Sequence, residues 1–376
     1  MTDHTRHGLD RLRRAPRKLA PWILGVGAPK APADKGVPPP TPAEADQTEP
    51  GRGRAALNPR LIPAKGWRDI ALRTWRSFNA DRLPAVSAGI AFYGLLSLFP
   101  TMAAFVSLYG LFFDVATAQA QLSQLTGVIP ADVLTFIGQE MTRIAGERTG
   151  SLSATFGLSL LLALWGANAA SKAMFDGLNV AYHEREKRNF FVLNIQTLGF
   201  TVAAVIFLML AVGAVVVVPI LFELLPLGMG QALLSLVRWP LLVLMMAVGL
   251  AGLYRFGPSR RPARWRWLSW GASIAALLWL VASLAFSWYV SNVANYARTY
   301  GSLGAVVGLM MWLWVSALVV LLGAELNSEI EHQTAQDTTT GGRRQMGERG
   351  AIVADSLGAA SGKDAVKAGS VLPTTG

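Results

Sequence analysis

The apolar and polar positions divide the chain into a long apolar middle and two polar ends. A helix needs about 20 predominantly apolar residues to cross the hydrocarbon core of a bilayer. Six nearly uncharged stretches reach about this length or more, and they are residues 86–112, 152–171, 198–222, 234–254, 268–289 and 303–324. This pattern predicts an all-α, polytopic membrane protein built as a bundle of six transmembrane helices.

Prolines lie in the first and the fourth of the predicted spans. Pro100 lies midway along the first span, and Pro240 lies near the start of the fourth. Proline lacks the backbone N–H that continues a helix, so we expect a kink at Pro100. Because the two prolines do not occupy corresponding positions in the two halves of the bundle, the pattern does not predict an inverted repeat.

The stretch between the first and second spans predicts a further helix. Pro130 can open a helix, and apolar residues recur after it at helical spacing. They are Val133, Leu134, Ile137, Met141, Ile144 and Ala145. We expect an amphipathic helix on the external side of the membrane, which either caps the bundle or gates a cavity.

The two ends of the chain lack apolar periodicity. Residues 31–50 are rich in Pro, Ala and acidic residues, and residues 332–376 contain Thr, Ala, Gly and Ser runs. Because such segments bury too little apolar surface to fold, we expect disordered tails over residues 1–60 and 332–376, around a transmembrane domain at 61–331. The apolar patch at 19–26 is too short for a span and lacks a small-residue cleavage site, so we expect no signal peptide.

The cations are distributed unevenly around the predicted spans. Fifteen Lys and Arg residues lie near one set of span ends, and four lie near the other. Cations beside spans are retained on the cytoplasmic side. We therefore expect both termini in the cytoplasm, which an even number of spans also requires.

The composition narrows the range of partners. Only 15% of the residues are charged although the net charge is +11, whereas soluble domains carry about 25% charged residues. The cations adjoin span ends, where they attract anionic headgroups. We therefore expect membrane lipids, and not nucleic acids, as partners. Faces of small residues in the spans also permit a homo-oligomer.

The residue types give little support for a catalytic site or a metal site. The chain has no cysteine, and its four histidines are His4, His7, His183 and His332. The lack of cysteine excludes disulfides, thiolate metal sites and cysteine nucleophiles. The histidine spacing predicts neither a metal site nor a cofactor. Serine, histidine and carboxylate groups do not recur at matching depth, so we expect no catalytic residues and no enzyme.

Polar residues in or beside the spans are the candidates for lining a substrate cavity, because they are costly to place in a bilayer. They are Tyr93, Ser97, Asn168, Ser171, Asp176, Ser283, Ser287, Tyr300, Ser302, Glu325 and Asn327, and Pro100 at the expected kink and Gly301 at an expected turn complete the set. Ser283 and Ser287 are four residues apart and share one helix face. The alternative for this set is structural: hydrogen bonding between helices, close packing at glycine, and charge pairing at span ends.

Four segments carry a resemblance to a known family. They read AGIAFYGLLSLFP at 88–100, LNVAYHEREKRNFF at 178–191, PSRRPARWRWLSWGA at 258–272 and YGSLGAVVGLMMWLWVSALVVLLGAELNSEIE at 300–331. This wording resembles the YihY/BrkB family of bacterial inner-membrane proteins. The resemblance implies six transmembrane helices with cytoplasmic termini. Family members have been labelled virulence factors, ribonuclease BN or transporters, and the chain has no HxHxDH motif to support the ribonuclease label.

Two functional hypotheses remain open. The first is a bundle that moves or binds an envelope lipid or other amphiphile through a lateral or central polar cavity. It is favoured by the scarcity of charges in the middle of the spans. The alternative is a scaffold that does not transport and that organises envelope machinery through its loops and tails.

Overall fold

Helices form nearly all of the regular structure that can be described. The computed structural model describes residues 39–109, 131–146, 154–223, 230–294, 300 and 303–361. Its helices are α1 (Pro42–Thr48), α2 (Ala64–Ala80), α3 (Leu83–Tyr109), α4 (Ala131–Gly146), α5 (Ala154–Ala181), α6 (Phe190–Glu223), α7 (Gly230–Phe256), α8 (Trp265–Asn292) and α9 (Gly304–Glu331). Within these residues the only β feature is an isolated bridge between Ala263 and Thr339. The predicted all-α class is confirmed.

Six long helices lie where the sequence predicts six apolar spans. These helices are α3 and α5 to α9, and most of their ends fall within a few residues of the predicted bounds. The exceptions are α5, which continues to Ala181, α6, which begins at Phe190, and α9, which continues to Glu331. The apolar criterion marks the part of a helix that fits the hydrocarbon core, whereas a helix continues into water for as long as its backbone hydrogen bonds do.

Three helices are long and apolar enough to cross a membrane as far as they are described. They are α8, α9 and the Phe190–Phe207 part of α6. The apolar parts described in α3 and α7, Leu83–Leu98 and Pro240–Phe256, are shorter. The total of six crossings stays a prediction. The kink at position 100 also stays a prediction, and α3 is helical at that position.

The long helices contact one another in a closed order. Going around it, α3 contacts α5, α5 contacts α6, α6 contacts α7, α7 contacts α8, α8 contacts α9, and α9 contacts α3. The interior is apolar, and its fully buried side chains include Leu83, Phe175, Leu178, Leu268 and Leu321. This core fixes the ends of α3, α5, α8 and α9 close together, and α2 packs against α9 at the same place.

A glycine allows α8 and α9 to approach closely. The Gly271 N–H donates to Asn327 Oδ1 at 2.9 Å, and Asn327 Nδ2 donates to the Leu268 carbonyl at 3.2 Å. A Cβ atom at position 271 would lie only 2.7 Å from Asn327 Nδ2. Because position 271 has no side chain, the buried Asn327 amide of α9 hydrogen-bonds directly to the backbone of α8.

The described parts of the two tails pack together, where the sequence predicts disorder. Thr41 and Glu44 form a capping box at the start of α1. Arg54, which is 1% exposed, donates to the carbonyls of Gln333 at 3.1 Å and Gly358 at 2.6 Å. Disorder therefore does not hold for residues 39–60 and 332–361. Composition could not show this, because the order comes from side-chain bonds to the backbone of a distant segment. Residues 1–38 and 362–376 lie outside the described structure.

Helix α4 lies where Pro130 and the apolar spacing predict a helix. Its Leu134 and Met141 are buried, and their separation of seven residues places them on one face. The helix contacts α3 and α9. Its amphipathic face is thus used in packing, while its external position and a gating role stay predictions.

Candidate functional site

The last two turns of α9 carry charged and amide side chains into the interior. Glu325, Asn327, Glu329 and Glu331 are all 3% exposed or less. Here α9 meets α2, the α2–α3 junction and the loop after α5, and we call this region the polar end of the bundle. Buried charges are costly unless they are paired, so the partners of each carboxylate indicate its role.

Two of these carboxylates are paired with arginine. Arg73 Nε donates to Glu329, and Arg73 Nη2 donates to the Glu329 carbonyl at 3.1 Å and to Gln333 Oε1 at 2.8 Å. Arg260 donates through both terminal nitrogens to the two oxygens of Glu331. The forked pair of Arg260 with Glu331 combines charge compensation with defined geometry. Glu329 and Glu331 therefore have structural partners.

Arg260 has a second partner in the loop after α5. Its guanidinium lies 4.2 Å from the centre of the Tyr182 ring. Burial raises the pKa of the Tyr182 hydroxyl above its usual value, and Arg260 opposes that shift. The tyrosine therefore stays neutral and acts as a packing surface for the cation.

Glu325 lacks such a partner. It is fully buried, and neither carboxylate oxygen makes a hydrogen bond within the described part of the chain. The Ser77 hydroxyl lies nearby, but it donates to Glu329 Oε1 at 3.5 Å. Glu325 is one helical turn from Glu329 and similarly buried, yet no arginine or lysine of the described residues pairs with it.

Asp81 and His183 lie beside Glu325. Asp81 follows the end of α2, and its Oδ2 is 3.7 Å from His183 Nδ1. Ligand atoms of Asp81, His183 and Glu325 all lie within 4.8 Å of one another. Burial raises the pKa of the Asp81 carboxyl, which His183 opposes and Glu329 reinforces. We call these three residues the triad.

The backbone around the triad is strained. Arg82 and His183 both have φ near +54°, in the left-handed region that non-glycine residues rarely adopt. One such residue costs on the order of 1–3 kcal/mol, and backbone strain of this kind clusters at functional sites. The strain turns the chain sharply at the α2–α3 junction and after α5, where Asp81 and His183 stand.

A second polar group lies between α5 and α6. Ser171 Oγ and Thr201 Oγ1 are 2.8 Å apart, and Thr197 and Thr201 are buried on the inner face of α6. Asn168, one turn before Ser171, is half-buried. Its Oδ1 has no hydrogen-bond partner among the described residues. We call this strip of four residues the α5–α6 seam.

The other predicted site residues do not join either group. Ser97 donates to the Gly94 carbonyl of its own helix at 2.9 Å. Ser283 and Ser287 are buried on α8, and Asp176 is exposed. Tyr93 and Tyr300 are exposed. The side chain of Pro100 and all of Gly301 and Ser302 lie outside the described residues.

The sequence did not single out the triad. Glu325 was a candidate, but Asp81 and His183 were not, because the three residues are about 100 or more positions apart. The one hint was that His183 lies within the family-like segment at 178–191. The contact depends on strained turns that spacing does not reveal.

Sequence comparisons show the family. The family model described as Virulence factor BrkB matches residues 74–347, which is more than half of the chain. The chain belongs to the BrkB family. The resemblance stated from the sequence is confirmed, and the matched region of this BrkB-family chain contains the triad and the α5–α6 seam.

Several curated relatives support the assignment. "Putative ribonuclease-like protein YfkH" of Bacillus subtilis (strain 168) is 31% identical over 253 residues, which cover 64% of this chain and 88% of YfkH. A UPF0761 membrane protein of Tolumonas auensis is 27% identical over 280 residues, covering 72% and 88%. A UPF0761 membrane protein of Haemophilus influenzae, NTHI0384, is 26% identical over 278 residues, covering 70% and 96%. No solved structure matches the chain.

The names of the two UPF0761 relatives and the long apolar helices agree on one point. The BrkB-family chain is a membrane protein.

Proposed function

We propose that this BrkB-family protein is a transporter or lipid-handling protein of the bacterial inner membrane, which moves or binds an envelope lipid or other amphiphile. The α5–α6 seam is the observation that carries the proposal. The charge asymmetry of the sequence supports cytoplasmic termini, and membrane lipids are the expected partners. The protein is not proposed to bind nucleic acid.

Among the three long apolar helical segments, the one in α6 is the most exposed. Only 11% of Phe190–Phe207 is buried within the protein, compared with 28% of α8 and 33% of α9. Its exposed side chains are large and apolar, and they are Phe190, Phe191, Val192, Ile195, Leu198, Val202 and Ile206. These side chains suit contact with lipid chains, so α6 is held to the bundle by a narrow inner face.

That inner face is polar where it meets α5. Ser171 and Thr201 contact each other through hydroxyl groups, and the Asn168 amide oxygen lies close by on α5 with unused bonding capacity. A hydrogen bond between membrane helices contributes only about 0.6 kcal/mol on average. The hydrogen bonds of the seam therefore add little to the cost of opening it. Once open, it offers hydroxyl and amide groups to a headgroup and apolar side chains to the acyl chains.

The positions next to the seam favour an anionic headgroup. Lys172 follows Ser171 directly, and its Nζ lies 5.9 Å from the Phe190 ring. Arg188, which pairs with Glu186, lies over the Phe175 ring at 5.2 Å. Cations at a membrane surface attract anionic lipids, and here they stand at one end of the polar strip.

A disulfide across the seam tests the proposal, and the absence of native cysteine makes the experiment clean. The variant carries Ser171→Cys and Thr201→Cys, and the purified protein is reconstituted in liposomes that contain fluorescent anionic phospholipid. We expect oxidation to slow lipid translocation at least ten-fold and dithiothreitol to restore it. The two single-cysteine variants, oxidised in the same way, serve as controls. Unchanged translocation in fully cross-linked protein would exclude the seam as the route.

The scaffold hypothesis predicts a different result. A scaffold that acts through its ends loses function when residues 1–38 and 362–376 are removed, whereas a transporter confined to the bundle keeps it. The deletions must stop at these positions, because Arg54 and the segment after α9 are packed together. A larger deletion would damage the fold itself.

A further inference from the structure

The triad joins three segments that are remote in sequence. Asp81 lies between α2 and α3, His183 lies in the loop after α5, and Glu325 lies in α9. Their ligand atoms lie within 4.8 Å of one another. Two carboxylates and one imidazole from distant parts of the sequence thus meet at the polar end, where Glu325 is fully buried and 34% of the His183 side chain is exposed.

The electrostatics of the triad differ from those of the neighbouring carboxylates. Asp69 pairs with Arg52, Glu329 with Arg73, and Glu331 with Arg260. Glu325 and Asp81 have no arginine or lysine partner among the described residues, and three of their four carboxylate oxygens are buried without a hydrogen bond. Two carboxyl groups in such a site either stay protonated or are compensated by a positive charge, which a bound metal ion supplies.

We propose that the triad binds one divalent transition-metal ion of the Zn²⁺ or Mn²⁺ type. The ion takes one oxygen from Asp81, one oxygen from Glu325 and one ring nitrogen from His183. This site is separate from the α5–α6 seam, and the proposal does not depend on the lipid-handling function.

The donor set selects the class of ion. Mg²⁺ and Ca²⁺ prefer oxygen ligands alone, and Cu⁺ prefers thiolate or thioether sulfur. An imidazole with two carboxylates suits Zn²⁺ and Mn²⁺. Three protein ligands leave at least one coordination position for water or another ligand.

The distances between the three ligand atoms suit a metal ion once the side chains move slightly. Ligands about 2.1 Å from a tetrahedral Zn²⁺ lie about 3.4 Å from one another. The triad atoms are at most 4.8 Å apart, so binding draws them together by rotations of the side chains. The strained turns at Arg82 and His183 hold two of the three ligands in position for this movement.

Metal titration of the full-length protein tests the proposal. The purified protein is freed of metal with a chelator, and Zn²⁺ and Mn²⁺ binding is measured by calorimetry and by elemental analysis after gel filtration. We expect one ion per chain and a higher melting temperature on binding. Asp81→Asn, His183→Asn and Glu325→Gln should each weaken binding at least ten-fold. Asparagine suits position 183 because it tolerates the left-handed backbone.

A matched control separates the triad from general attraction of cations to carboxylates. Glu348 is exposed and lies far along the chain from the triad, and Glu348→Gln should bind metal as the wild-type protein does. If a triad variant fails to fold, pulsed paramagnetic resonance of Mn²⁺ bound to the wild-type protein still decides, because one histidine nitrogen should couple to the ion. Absence of stoichiometric binding, binding that survives the triad substitutions, or Mn²⁺ without a nitrogen coupling would each overturn the proposal.

Discussion

Two glutamates one turn apart on α9 should respond oppositely to the same substitution. Glu325 and Glu329 are 0% and 3% exposed, and replacement by glutamine removes the charge while preserving the shape. In Glu329→Gln, Arg73 stays buried without its charged partner. Breaking a buried ion pair in this way costs about 3–5 kcal/mol. That corresponds to a fall of roughly 4–6 °C in melting temperature for a chain of this size.

Glu325→Gln should leave the stability of the metal-free protein unchanged or raise it. The substitution removes a buried carboxylate that no cation compensates, so no partner is left behind. The assay is thermal unfolding of both variants in one detergent with a chelator present, followed by circular dichroism and by gel filtration. If Glu325→Gln destabilises the metal-free protein as much as Glu329→Gln does, Glu325 has a charged partner and the reasoning about the triad is wrong.

Two further predictions concern packing and the loop after α5. Gly271→Ala places a Cβ against Asn327 and should cost about 1–3 kcal/mol of stability. The control is Gly252→Ala on α7, where a Cβ would meet open space. It should cost no stability in the same unfolding assay. Although burial raises it, hydrogen bonds from Arg188 lower the pKa of Glu186 to about 2. Glu186→Gln should therefore cost about 1 kcal/mol near neutral pH. This difference from wild type should shrink as the pH falls from about 4.5 toward 2, and unfolding curves that show the same difference at all pH values would refute it.

The sequence predicts the helices well because the bilayer imposes a simple rule on them. A span needs a run of apolar residues of defined length, and the six runs correspond to α3 and α5 to α9. The same rule does not locate helix ends, since α5 and α6 extend beyond the apolar runs. It also says nothing about segments that fold through specific bonds, such as the contacts of Arg54 with the backbone of residues 333 and 358.

The candidate sites were predicted only in part. Ser171 and Asn168 were predicted because polar groups stand out in an apolar span, and the structure places Ser171 in contact with Thr201 of α6. Asn327 stood out in the same way, but it serves to join α8 and α9. Asp81 and His183 could not be assigned to a site, because loops and helix ends are expected to be polar. Their role depends on a contact with Glu325 that only the fold creates.

Native mass spectrometry of the protein extracted gently from its own membrane tests the lipid-handling claim most directly. Bound lipids are identified by fragmentation, and the Ser171→Cys, Thr201→Cys variant is measured in its oxidised form beside the wild type. We predict that one class of anionic lipid or lipid-linked precursor stays bound to the wild type through stringent delipidation and is lost from the cross-linked protein. A chain that carries no specific lipid, or that arrives with a stoichiometric protein partner, would contradict the account and favour a scaffold.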